Sequence, residues 1–351
     1  MMPAACSSTR AFSVFLSDSQ DMAKDRCRCA IRGSINNDEY FYVKSIARPG
    51  ETISSYRYER RVGGKGANQA IAIVRAGGTA DFYGTIGEDG LWVKETVAGF
   101  GLDDRGIIIS QDPTGRALIQ IADSGENNII LFPGANHSTL HEKAWKTRDS
   151  DCDFPESTHL LLQNEIHLES TLCALENFKS TTTIYNPSPL PSVEQIRVFP
   201  WNKVDWLIVN EGEAEDLYNA LSESEGRHPD TTPNILTRSH RELLSLLSAQ
   251  PAFATTNIIC TLGKDGVLAF IPAFHRPRTA HEAPSFMHFP AATLQGTIRD
   301  TTGAGDCFTG YFVQGLMQFG PHARMGRDIR EQDVAKILKT CVQVGTTPIV
   351  I

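Results

Sequence analysis

The spacing of apolar residues along the chain alternates between two periods, one typical of strands and one typical of helices. Short runs rich in β-branched and aromatic residues, such as 80–86, indicate strands. Apolar residues three and four positions apart, as in 91–98, indicate helices. From residue 79 onward the two kinds of segment follow each other, which predicts an α/β domain with a mostly parallel central sheet and helices on both faces. We predict strands at 29–32, 80–86, 107–109, 159–163, 182–185, 204–209 and 257–262, and helices that begin near residues 67, 91, 168 and 305.

Two segments interrupt this alternation, at roughly 38–62 and 114–132. The first is rich in aromatic and β-branched residues without a helical period, and the second has two alternating runs around Asp123-Ser124-Gly125-Glu126, the pattern of a hairpin. We expect both to leave the main sheet as antiparallel excursions and to form a small β-sheet lid over its carboxyl edge.

Composition narrows the classes of function. The chain has 351 residues and a formal net charge of −8, which disfavours nucleic acid and anionic membrane as partners because both reward clustered Lys and Arg. No apolar run approaches the ~20 residues of a membrane span. The cysteines are scattered without zinc or disulfide spacing, so we expect reduced thiols in a cytoplasmic protein that could also enter the nucleus.

The first 26 residues carry no clear period and fit neither a signal nor a transit peptide. We expect a disordered extension at 1–26, followed by one domain over 27–351.

The stretch Asp300-Thr301-Thr302-Gly303-Ala304-Gly305-Asp306 precedes a run with helical spacing. Three small residues leave the N–H groups of the first helical turn open, and the helix dipole makes that end an anion site. A carboxylate at 306 beside a bound phosphate would be repulsive, which favours a role as a base that takes the proton of a substrate hydroxyl. The alternative is an Asp/Gly turn that only caps a core helix.

A second glycine-rich loop, Gly63-Gly64-Lys65-Gly66-Ala67-Asn68-Gln69-Ala70, also runs into a helix. It is neither a Walker A loop nor a dinucleotide fingerprint, since it lacks the spacing of both. It offers close backbone approach, an amide and a cation, which suit a polyhydroxylated ligand or a phosphate equally.

Polar residues follow several predicted strands, which is where ligands bind in open α/β sheets. Asn36 and Asp38 follow the first strand, and Glu165, Asn186, Asn210 and Gly263 follow later ones. Asn210 and Glu213 could hold water molecules on Mg²⁺. The alternative at that position is a capping interaction between Asn210 and the N3 glutamate.

These motifs, in this order, closely resemble the ribokinase/PfkB-type carbohydrate kinase family over roughly residues 30–345. The resemblance is carried by Gly33-Ser34-Ile35-Asn36, the Gly63–Ala70 loop, Asn186-Pro187-Ser188-Pro189, Asn210-x-x-Glu213, Thr261-Leu262-Gly263 and the 300–306 stretch. It implies a three-layer α/β/α domain with a β-sheet lid, often dimeric through the lids, that transfers the γ-phosphate of ATP to the 5-hydroxyl of D-ribose.

The resemblance also implies roles for individual residues. Asp306 would be the base, with the backbone of Gly303, Ala304 and Gly305 as the anion hole. The sugar would be held by Asn36, Asp38, Gly64, Lys65, Gly66, Ala67, Asn68 and Glu165. ATP would contact Asn210, Thr261, Leu262, Gly263, Lys264, Asp265 and Gly266 together with Gly305 and Asp306. Asn210 and Glu213 would bind Mg²⁺ through water molecules, and Asp300 with the Thr302 carbonyl would bind an activating K⁺.

The chain departs from the family pattern at two places. Arg32 stands where the family usually has an apolar strand residue, and the sequence ends at Ile351 without the family's C-terminal Gly-Ala segment. We therefore expect impaired potassium activation and nucleotide affinity. The functional alternatives are another sugar or nucleoside kinase of the same family and a truncated, non-catalytic sugar-binding protein.

Overall fold

The computed structural model describes residues 27–138, 157–178, 180–222, 239–277, 279, 282–292, 303–321, 323 and 325–344. The predicted N-terminal extension, the potassium-site residues Asp300 and Thr302, and the C-terminal residues 345–351 lie outside these ranges.

A nine-stranded sheet forms the centre of the domain, in the order β13-β12-β11-β10-β9-β8-β1-β4-β5. Its strands from β11 to β5 pair in parallel, and β12 and β13 add an antiparallel edge. The strands are β1 Cys29–Arg32, β4 Ala80–Gly87, β5 Asp103–Ser110, β8 His159–Gln163, β9 Thr182–Asn186, β10 Trp206–Asn210, β11 Asn257–Thr261, β12 Val267–Phe270 and β13 Met287–Phe289. All seven predicted strands are present, with ends that shift by a few residues.

Helices cover both faces of this sheet, as predicted. They are α1 Lys65–Arg75, α2 Leu91–Gly99, α3 Leu168–Asn177, α4 Val193–Val198, α5 Glu211–Ser222, α6 His240–Ser248, α7 Pro272–His275, α8 Ala304–Met317 and α9 Glu331–Val344. Successive residues of β1 point to opposite faces: Ile31 joins the apolar cluster that includes α1, α8 and α9, and Ala30 joins the one that includes α3, α5 and α6. The fold is therefore an α/β/α sandwich with two cores.

The lid is a four-stranded sheet in the order β3-β2-β6-β7, made of β2 Asn36–Val43, β3 Arg57–Gly63, β6 Gly115–Ala122 and β7 Asn127–Phe132. Both predicted excursions contribute a pair of antiparallel strands. The two pairs are joined by parallel pairing of β2 with β6, so the lid is one mixed sheet rather than two separate hairpins.

Two further findings concern the class of protein. Within the described ranges no helix has the length and hydrophobicity needed to cross a membrane. The described cysteines are free thiols, as their scattered spacing predicted: Cys27, Cys29, Cys173, Cys260, Cys307 and Cys341.

Candidate active site

Polar strand ends converge on the carboxyl edge of the sheet, as the sequence predicted. Gln163 at the end of β8 pairs with Asn186 at the end of β9, and Asn210 at the end of β10 pairs with Thr261 at the end of β11. Glu165 follows β8 by two residues. The parallel register therefore brings residues from four separate chain segments to one edge.

The glycine-rich loop packs directly against the turn that follows β1. Gly66 lies so close to this turn that a Cβ there would stand 2.6 Å from the carbonyl carbon of Gly33 and from the nitrogen of Ser34. Gly64 has φ +86°, and a Cβ on it would lie 2.9 Å from the nitrogen of Asn36. Glycine is required at both positions because any side chain would clash with this backbone, and the close approach places the loop directly against Ser34 and Asn36.

Glu165 is fixed by this loop. Its Oε2 accepts hydrogen bonds from the hydroxyl of Ser34 and from the backbone N–H of Lys65, the latter at 2.9 Å. Burial raises the pKa of Glu165, against the opposing effect of the Lys65 ammonium group. Burial lowers the pKa of Lys65, but the carboxylates of Asp306, Glu165 and Glu213 outweigh it and leave a net increase. The half-buried lysine is thus a stable cation facing three acidic groups.

Asn36 is oriented by a residue that the sequence reasoning did not identify. Asn136 is 2% exposed; its Oδ1 accepts from the Ile35 N–H at 2.8 Å, and its Nδ2 donates to Asn36 Oδ1 at 2.8 Å. The carbonyl oxygen of the Asn36 side chain is therefore occupied, and its Nδ2 is the group left to face a ligand. Asn136 follows the lid hairpin in a short 3-10 turn at Gly134–His137, where the sequence alone gives no distinctive signal.

Asp38 is a buried carboxyl group with spare acceptor capacity. Its side chain is packed over Gly63, where any Cβ would overlap the carboxyl atoms, and among the described residues its Oδ1 has no hydrogen-bond partner. Burial, reinforced by the nearby carboxylates of Glu165 and Asp306, raises the pKa of Asp38 to about 7. An unpaired buried acceptor is costly, which makes this atom a place for a donor from a ligand.

Asp306 lies where the two glycine-rich motifs meet. It is in the first turn of α8, is 6% exposed, and accepts from Asn68 Nδ2 at 3.0 Å and from Gln69 Nε2 at 2.9 Å. Residues 68 and 306 are far apart in the chain, and α1 and α8 bring them together. The electrostatic neighbours of Asp306 include Lys65, Glu165 and Asp38.

The start of α8 has the backbone geometry of an anion site. Gly303 caps the helix with φ +77°, and the Cys307 N–H is the first that reaches back to its carbonyl, at 2.8 Å. The N–H groups of Ala304, Gly305 and Asp306 therefore precede the helical hydrogen-bond ladder. A Cβ at Gly305 would meet no atom within 4 Å, so this end of the helix is open.

At Asn210 the capping alternative is realised. Asn210 Oδ1 accepts from the Glu213 N–H at 2.8 Å, and the Asn210 N–H donates to Glu213 Oε2 at 2.9 Å, the reciprocal pair of a capping box. The cap uses only Oε2 of the Glu213 carboxylate, so the water-mediated magnesium role stays a prediction. The described residues contain no cluster of three His, Cys, Asp or Glu side chains that could hold a metal ion directly.

The predicted nucleotide loop continues along the same edge. A 3-10 turn at Gly263–Asp265 connects β11 to β12, with positive φ at Gly263 (+54°) and Gly266 (+93°). Thr261 is half-buried and its hydroxyl donates to the Val209 carbonyl at 3.4 Å, whereas Gly263, Lys264 and Asp265 are exposed and Leu262 is buried. The loop is open to solvent beside Asn210.

Comparisons with known proteins agree with this arrangement. The chain is similar to a ribokinase of Haemophilus influenzae (30% identity, covering 82% of this chain and 85% of that protein) and to one of Dictyostelium discoideum (30%, 81% and 86%). Among solved structures it resembles ribokinase from Cryptococcus neoformans var. grubii in complex with ADP, at 39% identity and a TM-score of 0.69, with 91% of this chain and 93% of that chain covered. The model of the pfkB family of carbohydrate kinases matches residues 28–346. The chain is an enzyme of that family, a pfkB family carbohydrate kinase.

Proposed function

We propose that this protein is a ribokinase, which transfers the γ-phosphoryl group of ATP to the 5-hydroxyl of D-ribose and yields D-ribose 5-phosphate. The observation that carries the proposal is the position of Asp306, a carboxylate beside Asn68, Lys65 and Glu165 and in the first turn of α8. Transfer of a phosphoryl group to an alcohol needs a base for the hydroxyl proton and an anion site for the phosphoryl group, and this helix end provides both.

The sugar pocket combines acceptors and donors. Asp38 Oδ1 and Glu165 Oε1 can accept hydrogen bonds from sugar hydroxyls, while Asn36 Nδ2 and the Lys65 ammonium group can donate to sugar oxygens. Alternating donors and acceptors match a polyhydroxylated ligand and would fix one hydroxyl towards Asp306. Gly64, Gly66 and Ala67 supply the close backbone that forms the floor of the pocket.

In the reaction, Asp306 takes the proton of the 5-hydroxyl as the oxygen attacks the γ-phosphorus, and ADP leaves. The free N–H groups of Ala304, Gly305 and Asp306 stabilise the negative charge on the transferred group, and the helix dipole adds to this. The protein contributes mainly alignment and charge stabilisation, which suits a fold that fixes these groups on rigid elements.

The nucleotide and its ions fit the donor set at the same edge. Asn210, Thr261 and the loop from Leu262 to Gly266 would hold ATP. Asn210 and Glu213 would bind Mg²⁺ through water molecules, because Mg²⁺ keeps much of its water shell and needs few protein ligands. Mg²⁺ neutralises phosphate charge when bound. We propose that K⁺ binds at Asp300 and the Thr302 carbonyl. We also propose that two chains form a dimer through their lids.

The test is a coupled ADP-release assay with ATP, Mg²⁺, K⁺ and a panel of sugars and nucleosides. We expect turnover with D-ribose and a fall of about 10²-fold or more for Asp306→Asn, the usual worth of a positioned base. Phosphorylation of fructose or adenosine but not ribose would show that the protein is another sugar or nucleoside kinase of the family. Calorimetric binding of ribose without ribose-dependent ADP release would make the protein a non-catalytic sugar binder.

A further inference from the structure

Gln69 is a fully buried side chain that touches the proposed base. It is 0% exposed, and its Nε2 donates to Asp306 Oδ1 at 2.9 Å and to Asn186 Oδ1 at 3.0 Å. Its Oε1 accepts from Gln163 Nε2 at 2.6 Å. One amide therefore joins α1, α8 and the ends of β8 and β9.

The direction of every hydrogen bond in this cluster is determined by two groups at its ends, the Ile208 carbonyl and the Asp306 carboxylate, which can only accept. Asn186 Nδ2 donates to the Ile208 carbonyl at 2.8 Å, and a carbonyl can only accept, so Asn186 presents its oxygen to Gln69. Gln69 must then present its nitrogen to Asn186 and to Asp306, and its oxygen to Gln163. The opposite orientation of Gln69 would place oxygen against the oxygens of both Asn186 and Asp306.

We infer that Gln69 is a positioning residue, which holds the Asp306 carboxylate in its reactive rotamer through the buried hydrogen-bond chain Gln163–Gln69–Asp306. The inference rests on the proposed function of Asp306 as base. Asn68 holds Oδ2 and Gln69 holds Oδ1, so both carboxylate oxygens are anchored. A carboxylate has about four acceptor sites, which leaves room on these oxygens for the proton of a sugar hydroxyl.

Neutral amides suit this purpose better than a cation would. An arginine or lysine in the place of Gln69 would hold the carboxylate equally well, but an adjacent positive charge would weaken it as a base. The single cation among its electrostatic neighbours named above, Lys65, also faces Glu165 and Glu213. Gln69 and Asn68 therefore orient Asp306 without neutralising its charge.

The backbone of Gln69 is fixed as firmly as its side chain. Gly310 lies one helical turn after Asp306, on the same side of α8, and a Cβ there would stand 2.7 Å from the Gln69 carbonyl oxygen. The same face of α8 thus meets both the side chain and the main chain of residue 69.

The experiment compares kcat and sugar KM for Gln69→Met, which keeps length and volume, and Gln163→Met, which removes the next amide in the chain without touching Asp306. We expect Gln69→Met to lower kcat about tenfold or more, the worth of one hydrogen bond to a charged group, with sugar KM changed much less. Gln163→Met should lower kcat less.

Two results would overturn the inference: wild-type kcat in Gln69→Met, or equal losses of kcat in both variants, as expected if the amides serve only packing. Crystal structures of the wild type and Gln69→Met give a decision that does not depend on turnover. A changed Asp306 rotamer in the variant supports the inference, and an unchanged one contradicts it. Failure of the wild type to phosphorylate any sugar would instead count against the proposed function.

Discussion

Replacing Gly310 by alanine tests whether the close crossing of α1 and α8 controls the alignment of the active site. A Cβ at residue 310 would lie 2.4 Å from the Ala72 Cβ, 2.7 Å from the Gln69 carbonyl oxygen and 3.0 Å from the Ile73 nitrogen. Two of these three atoms belong to the backbone of α1, which cannot move aside as a flexible side chain would. Carbon atoms in contact normally stand about 3.5–4.0 Å apart, so the helices must separate by roughly 1 Å.

The expected effect on stability is small, and the expected effect on catalysis is large. Overpacking a core costs about 1–3 kcal/mol, and exchanging a helical glycine for alanine returns ~1 kcal/mol. The net loss of ~0–2 kcal/mol in the free energy of unfolding corresponds to a few degrees in Tm for a domain of this size. A displacement of about 1 Å between catalytic groups can cost ~10²-fold in rate. Because Asn68 and Asp306 lie on the two separated helices, kcat should fall by about that factor.

The assay is steady-state ADP release together with a thermal melt of the same preparations. Gly99→Ala is the matched control, because a Cβ at this helical glycine meets no atom within 4 Å, and we expect it to leave kcat unchanged and stability equal or higher. Adding Ala72→Gly to Gly310→Ala removes the nearest clash and should recover part of the lost kcat. If Gly310→Ala keeps kcat within twofold of wild type, the crossing does not control alignment and the reasoning is refuted.

Three further predictions follow from the site and the lid. Because the pKa of Asp38 is raised to about 7, well above the ~3.9 of an unfolded chain, the folded state should lose stability as the pH rises from about 4 to 7, and Asp38→Asn should make that slope shallower in thermal melts. Ionisation of Asp38 should also lower sugar KM between pH 6 and pH 8, and a pH-independent KM would contradict its contact with the sugar. Gly64→Ala, at φ +86°, should raise sugar KM more than ATP KM in initial-rate measurements; equal increases would argue against a sugar-side role for the loop. Ile130 and Phe132 on β7 are 58% and 48% exposed. If two chains assemble through their lids as proposed, Ile130→Glu should lower the mass measured by light scattering to that of one chain, and an unchanged dimer mass would show that the lids are not the interface.

The framework of the domain could be predicted because its determinants are local. Parallel strands that are covered on both faces have continuous apolar sequences, and the helices between them have a helical period, so both can be recognised from the sequence. All seven predicted strands are present in the structure. The predicted convergence of Glu165, Asn186, Asn210 and Gly263 on one edge is confirmed for the same reason, since the ends of parallel strands share one edge. The pairing of β2 with β6 could not be predicted, because the strands are separated by β3, α1, β4, α2 and β5, and nothing local specifies the parallel register.

The residues that orient the site are harder to recognise than the residues that would touch substrate. Asn136 has no distinctive sequence context, and Gln69 lies inside the glycine-rich motif without any local sign of its role. The importance of both depends on atoms of Asn36 and Asp306, which are remote in the chain. Asn210 illustrates the opposite difficulty, because its spacing to Glu213 fits both a helix cap and a magnesium site, and the observed cap leaves one carboxylate oxygen for the second role. A motif therefore identifies which side chains lie at the edge of the sheet. The rotamers of those side chains are fixed by hydrogen bonds to amides, and these hydrogen bonds exist only in the folded chain. The precision on which phosphoryl transfer depends is thus determined in part by amides, inside and outside the motifs, whose role is visible only in the folded chain.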